Sequence, residues 1–139
     1  MMRRLIAVVT LSALVVAACS GSGESDEGPD GIVAPNPERF CEINAQLDLA
    51  PDFFVESADE AASNARTFIL LYDESSDTAP VDIRSSVLTT VMAYKTVISR
   101  FDTLDYDVSQ FTDEDLEPLG TDEFRTALDV VDSWLEANC

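Results

Sequence analysis

From Asn36 to Cys139 apolar residues recur every three or four positions, a spacing that restricts this stretch to amphipathic helices. Side chains three and four apart share one helix face, so each stripe marks a surface that has to be buried. The first stripe is Phe40, Ile43 and Leu47. Asn36-Pro37-Glu38 opens it, with Asn36 as N-cap, a proline where its missing N–H costs nothing, and an acid in the first turn. The stripe ends near Leu49, before Pro51. Residues 50–56 have no period and are expected to be a connection whose Phe53 and Phe54 fold back on the core.

Ser57-Ala58-Asp59-Glu60 has the form of a capping box, in which serine and glutamate side chains each satisfy one orphan amide. Ala61, Ala65, Phe68, Ile69 and Tyr72 follow on one stripe, and Asp73-Glu74-Ser75-Ser76-Asp77 is expected to close this second helix. Pro80 is expected to open the third and longest helix, with Ile83, Val87, Val91, Tyr94, Ile98 and Phe101 on its apolar face. Over its 23 residues from Pro80 this helix is expected to run about 35 Å at the rise of an α-helix. The period is lost through residues 103–111, and Thr112-Asp113-Glu114-Asp115 starts one short turn before Pro118 and Gly120. Thr121 caps the last helix, with Phe124, Ala127, Leu128, Val131 and Leu135 on one face and Trp134 at its edge. The expected fold is therefore all-α. Four helices with short connections pack most simply as an up-down four-helix bundle over residues 37–139.

Residues 20–37 have no such period and hold four of the five glycines and three of the six prolines. The composition is that of a flexible acidic linker, with an end-to-end distance of about 23 Å as a random coil. Ahead of it, Met1-Met2-Arg3-Arg4 is a short basic start to an apolar run of 14 residues, Leu5 to Ala18. A membrane-spanning helix needs about 20 apolar residues. The shorter run, its basic flank and its small-residue end are those of a secretory signal peptide covering residues 1–18.

Val16-Ala17-Ala18-Cys19, at the end of that run, resembles the lipobox of bacterial lipoproteins: an aliphatic residue, two small ones, then the cysteine that becomes the mature N-terminus. The resemblance implies a diacylglycerol on the Cys19 thiol and cleavage just before it, leaving residues 19–36 as a lipidated cysteine and linker. Two acyl chains, each adding about 0.8 kcal/mol per buried methylene, anchor stably where one does not. It further implies a cell-membrane location, lipid-anchored and exposed on the extracytoplasmic side.

The chain has three cysteines. With Cys19 lipidated, Cys41 and Cys139 remain as one pair in an oxidising compartment. The up-down bundle brings the start of its first helix and the end of its last to the same end, where these two cysteines lie. A disulfide there joins the first and last helices, and its loop-entropy contribution is about 4.7 kcal/mol. In layout, with Phe40-Cys41 opening the first helix, Ala79-Pro80 the third, and Ala137-Asn138-Cys139 ending the last, residues 37–139 are similar to small acidic helical lipoproteins of actinobacteria, of unknown function. That similarity implies fold and location and no activity.

Charge narrows the function classes. The chain carries 27 acidic and 8 basic residues, no histidine, and a formal net charge of −19. Nucleic acid is excluded as a partner, because phosphates are held by clustered Lys and Arg. Without histidine there is no histidine-dependent hydrolase triad, and most zinc sites are excluded. Seven acids between Asp102 and Glu117 make the densest acidic segment. Asp105, Asp107, Asp113 and Asp115 are its candidate cation ligands, but no EF-hand fits: from Asp105, position six is Gln110 instead of Gly and position twelve is Leu116 instead of Glu. A solvated polar loop is the plainer expectation. Tyr72 and Tyr94 could ligate haem as phenolates, although tyrosines on an apolar stripe are ordinarily core residues whose hydroxyls reach the rim.

No catalytic residues, metal site or cofactor are expected. The expected function is a non-enzymatic binding or interaction domain, a monomer held to the membrane through Cys19, with an unidentified envelope protein or component as partner. The alternative is a protein that binds a small ligand or divalent cation in the acidic loop 102–117 or the bundle core. A carboxylate-dependent hydrolase is the remote third possibility, and it requires a cleft flanked by carboxylates with raised pKa.

Overall fold

A computed structural model describes residues 34–139, and every regular element among them is helical. The signal peptide, Cys19 and the linker as far as residue 33 lie outside the described residues. The long helices are α1 (Pro37–Leu49), α2 (Ala58–Thr78), α3 (Arg84–Thr103) and α5 (Asp122–Asn138). Between the last two come 3-10 turns at Val108–Gln110 and Asp113–Leu116 and the single-turn α4 (Glu117–Gly120). None of the described helices is long and apolar enough to cross a membrane.

Helix starts follow the local chemistry. Asn36 Oδ1 accepts from Arg39 N–H at 3.0 Å, Ser57 Oγ from Glu60 N–H at 3.4 Å, and Thr121 Oγ1 from Phe124 N–H at 3.1 Å. Each thereby satisfies one amide left unpaired by the first turn. The second expected half of the Ser57 box, Glu60 reaching back, is not among the hydrogen bonds formed.

Two boundaries differ from the sequence reading. The acidic run 73–77 does not close α2, which continues to Thr78 and, at 21 residues against 20 for α3, is the longest helix. Ser75 and Thr78 are buried there, Arg39 of α1 pairs with Glu74 at 2.6 Å, and Lys95 of α3 pairs with Asp73 at 2.6 Å. Helix propagation therefore wins over local polarity, and α2 stops only at Ala79, whose extended backbone suits a residue preceding proline. Pro80 in turn does not begin α3. Residues 80–83 form a turn, with Ile83 N–H donating to Pro80 O at 3.2 Å, and α3 begins at Arg84. That turn reverses the chain and still buries Ile83.

α2 packs on both α1 and α3, and α3 on α5. Asp122 and Thr126 of α5 share a groove with Ser85 and Thr89 in the first turns of α3. Arg100, in its last turns, sits instead among Glu114, Asp115 and Glu117. α3 is thus covered in two lengths, by α5 over its start and by the short helical segments over its end.

Each end of the molecule has its own fastening. At one, Cys41 and Cys139 form a disulfide with Cα atoms 5.6 Å apart, closing a sequence separation of 98. Beside it, fully buried Phe40 meets the half-buried Trp134 edge-on, ring centroids 5.5 Å apart. At the other end Phe54 and Phe111 pack on the fully buried Phe101 at 5.3 and 5.2 Å, and Tyr106 lies against it edge-on at 5.3 Å. Phe53 and Phe54 do fold back on the core. The chain leaves α3 through two left-handed residues, Asp105 and Tyr106, with φ of 52° and 59°. For non-glycine residues that conformation costs about 1–2 kcal/mol each. It is offset by the Tyr106 ring on Phe101 and by Tyr106 N–H donating to Phe101 O at 3.1 Å.

Candidate functional site

The acidic loop is organised by hydrogen bonds of its own. Asp107 Oδ1 accepts from Ser109 N–H at 3.0 Å and Ser109 Oγ at 2.6 Å, and its Oδ2 from Gln110 Nε2 at 2.7 Å. Asp115 Oδ2 accepts from Thr112 N–H at 2.9 Å and Thr112 Oγ1 at 2.8 Å. These bonds hold both carboxyls below the usual carboxylate range, Asp107 chiefly through the Ser109 hydroxyl and Asp115 chiefly through the Thr112 amide. The two acids act as caps for the 3-10 turns. Asp105 is in the left-handed bend, and Asp113 is exposed. The structure does not bring the four together: among the described residues no group of three or more acids or cysteines converges as a metal site.

A more promising site lies in the body of the fold. Beyond the disulfide, a cavity of about 460 Å³ separates the second half of α1 from α5. Asn44 and Leu47 line it from α1, Leu128, Val131 and Leu135 from α5, and Leu119 from α4. Phe53 and Phe54 close one side, Phe68 and Tyr72 of α2 another. Tyr72 and Tyr94 form the floor, stacked with centroids 5.0 Å apart and planes within 11° of parallel. The volume falls within the range of small-molecule pockets, about 300–1,000 Å³.

Electrostatics are one-sided. Asp48 of α1, Asp52 of the connection and Asp132 of α5 line the cavity, and no Lys or Arg does. Asp52 Oδ1 is engaged by Phe54 N–H at 2.8 Å, whereas Asp48 and Asp132 have no hydrogen-bond or ion-pair partner among the described residues. Desolvation first, then repulsion from Asp129, Glu136 and Asp48, raises the Asp132 carboxyl above its ordinary value. Burial likewise raises the Tyr94 hydroxyl, helped by Asp132, and raises Tyr72 well beyond its ordinary value, helped by Tyr94. Both tyrosines therefore stay protonated at neutral pH and can donate a hydrogen bond. Tyr72 is 8 % exposed, and its hydroxyl has no partner among the described residues.

Chemically the arrangement is suited to holding a molecule. Both cysteines of the domain are in the disulfide, and the chain has no histidine to activate a hydroxyl. Asp132 meets the demand for a carboxylate with raised pKa, yet it is solvent-exposed, and the walls around it are mainly apolar, with little to orient a sugar. Sequence reasoning marked the tyrosines but not Asp48 or Asp132. A signal was there: each acid flanks an apolar stripe, one residue after Leu47 and Val131 respectively. Their partnership depends on tertiary structure. No protein-family model matches the chain, no curated protein is similar to it, and no solved structure matches its fold.

Proposed function

We propose that this protein is an envelope lipoprotein, anchored through a diacylated Cys19 and carrying on the extracytoplasmic side a non-enzymatic binding domain whose ligand occupies the cavity between α1 and α5. The observation that carries the binding role is that cavity, about 460 Å³ with stacked tyrosines as its floor and, in its lining, two carboxylates without a partner among the described residues. The anchor is supported by the order of basic start, apolar run and Val16-Ala17-Ala18-Cys19. Stapling by Cys41–Cys139 fits an oxidising compartment.

The first three long helices are further read as an up-down-up run, supported by Asn36 N–H donating to Thr78 O at 3.0 Å and by the Lys95–Asp73 pair between α2 and α3. The expected up-down course does not extend simply to α5, whose first turn lies beside the first turns of α3.

Expression of the full sequence in a bacterial host fed labelled palmitate tests the anchor. Label should enter the wild type and be lost in Cys19→Ala, which should leave the membrane fraction. A Cys19→Ala protein that stays in membranes and is still processed would overturn it.

A further inference from the structure

We propose that the cavity, taken as the binding site, selects a small organic cation: an ammonium group held between Asp48 and Asp132, with an apolar or aromatic body against Tyr72, Tyr94 and Phe68. Three independent features converge on this class. The first is shape, a concave space large enough for a molecule of a dozen or so heavy atoms, with aromatic walls that reward apolar burial. The second is charge. The cavity is lined by acids without a base, in a domain where residues 37–139 hold 23 acids against six bases, a net charge of −17. Such a field concentrates cations at the cavity mouth, where Asp48 and Asp132 are exposed, and repels anions. The third is a polar group with room for a partner: Tyr72, a side chain more than nine-tenths buried, lines the cavity, and its hydroxyl makes no hydrogen bond among the described residues and is open to the cavity.

The same features disfavour a metal ion. A divalent cation needs several oxygens converging at short range, and no such group of three occurs among the described residues. A hydrated ion would also surrender water to aromatic walls that cannot replace it. An organic ammonium is weakly hydrated, gains from the ring faces, and leaves its apolar body buried.

Calorimetric titration of the full chain in mild detergent at pH 7 with phenylbutylamine, phenylbutanol and phenylbutyrate tests the assignment, since the three share one body and differ in charge. The amine is expected to bind at least tenfold more tightly than the alcohol, and the acid not detectably. Asp132→Asn should weaken the amine about tenfold and leave the alcohol unchanged. Amide and ring resonances of Tyr72 and Tyr94 should shift on binding. Amine and alcohol binding alike, or an Asp132→Asn protein that binds the amine as the wild type does, would overturn the cation preference while leaving the cavity as a binding site. Shifts confined to residues 102–117 would overturn it in favour of diffuse attraction to the acidic loop. If none of the three compounds moves the tyrosine resonances, both the preference and the cavity as a binding site are overturned.

Discussion

The two ends of the domain are held by different physics. Around Cys41 and Cys139 the helices are joined covalently, and Phe40 with Trp134 is the aromatic contact between α1 and α5 there. Around Phe101 there is no covalent link, and four further rings (Phe53, Phe54, Tyr106 and Phe111) share the packing. The difference tracks the chain. The disulfide end is where α1 begins and α5 finishes, and helix termini fray unless tied. The aromatic end is made of connections, residues 50–57 and 104–112, which can wrap round and deliver bulky side chains inward. The staple joins α1 to α5 at one end, and beyond it the cavity lies between their facing residues.

Removing the staple should produce the largest effect. Cys41→Ser with Cys139→Ser is expected to cost about 4.7 kcal/mol, the loop-closure entropy of a loop near 100 residues. Amide exchange should then accelerate first in α1 and the last turns of α5, while Phe101 and its neighbours stay protected. Uniform acceleration across α3 would mean that the two ends do not behave separately. Phe101→Ala should reverse the pattern. Truncating a fully buried phenylalanine costs about 3–5 kcal/mol, read by denaturant unfolding, and the loosened region should be residues 50–57 and 104–112.

A smaller effect is expected midway, at Asp132. Its folded pKa is raised, so the native state binds the proton more tightly than the unfolded chain does, and stability falls as pH rises through the raised value. Asp129, Glu136 and Asp48 face it with the same sign. Asp132→Asn should therefore raise Tm by a few degrees at pH 7 and by nothing at pH 3, where Asp132 is already protonated. Asp107 and Asp115 work in the opposite direction: their lowered pKa values contribute stability above the ordinary carboxylate range that is lost as pH falls through their folded values. An equal change in Tm at both pH values would show that the asparagine acts by packing and not by charge.

What could be read from the sequence was what neighbouring residues decide. Asn36, Ser57 and Thr121 cap their helices through amides three residues ahead, and the apolar stripes named most of the core. The end of α2 could not be read, because its acids are stabilised by Arg39 and Lys95 from other helices. The start of α3 was misplaced for a related reason: proline suits a first helical turn and a reverse turn equally, and packing of Ile83 selects between them. The loop acids drew attention by their density, although Asp107-Val108-Ser109 and Thr112-Asp113-Glu114-Asp115 already had the spacing of local caps. Asp48 and Asp132 become neighbours only once α1 and α5 are fixed relative to each other.

Bonding Cys41 to Cys139 also makes the intervening chain a closed ring, with a consequence for proteolysis. A single cut anywhere between the two cysteines, including the exposed stretch around Val108, opens the ring without releasing a fragment. The severed pieces remain held at the disulfide end and can re-pack as one molecule. On a gel the nicked protein should migrate as an intact chain until thiol is added, so damage to the aromatic end is hidden from any separation that leaves the disulfide in place.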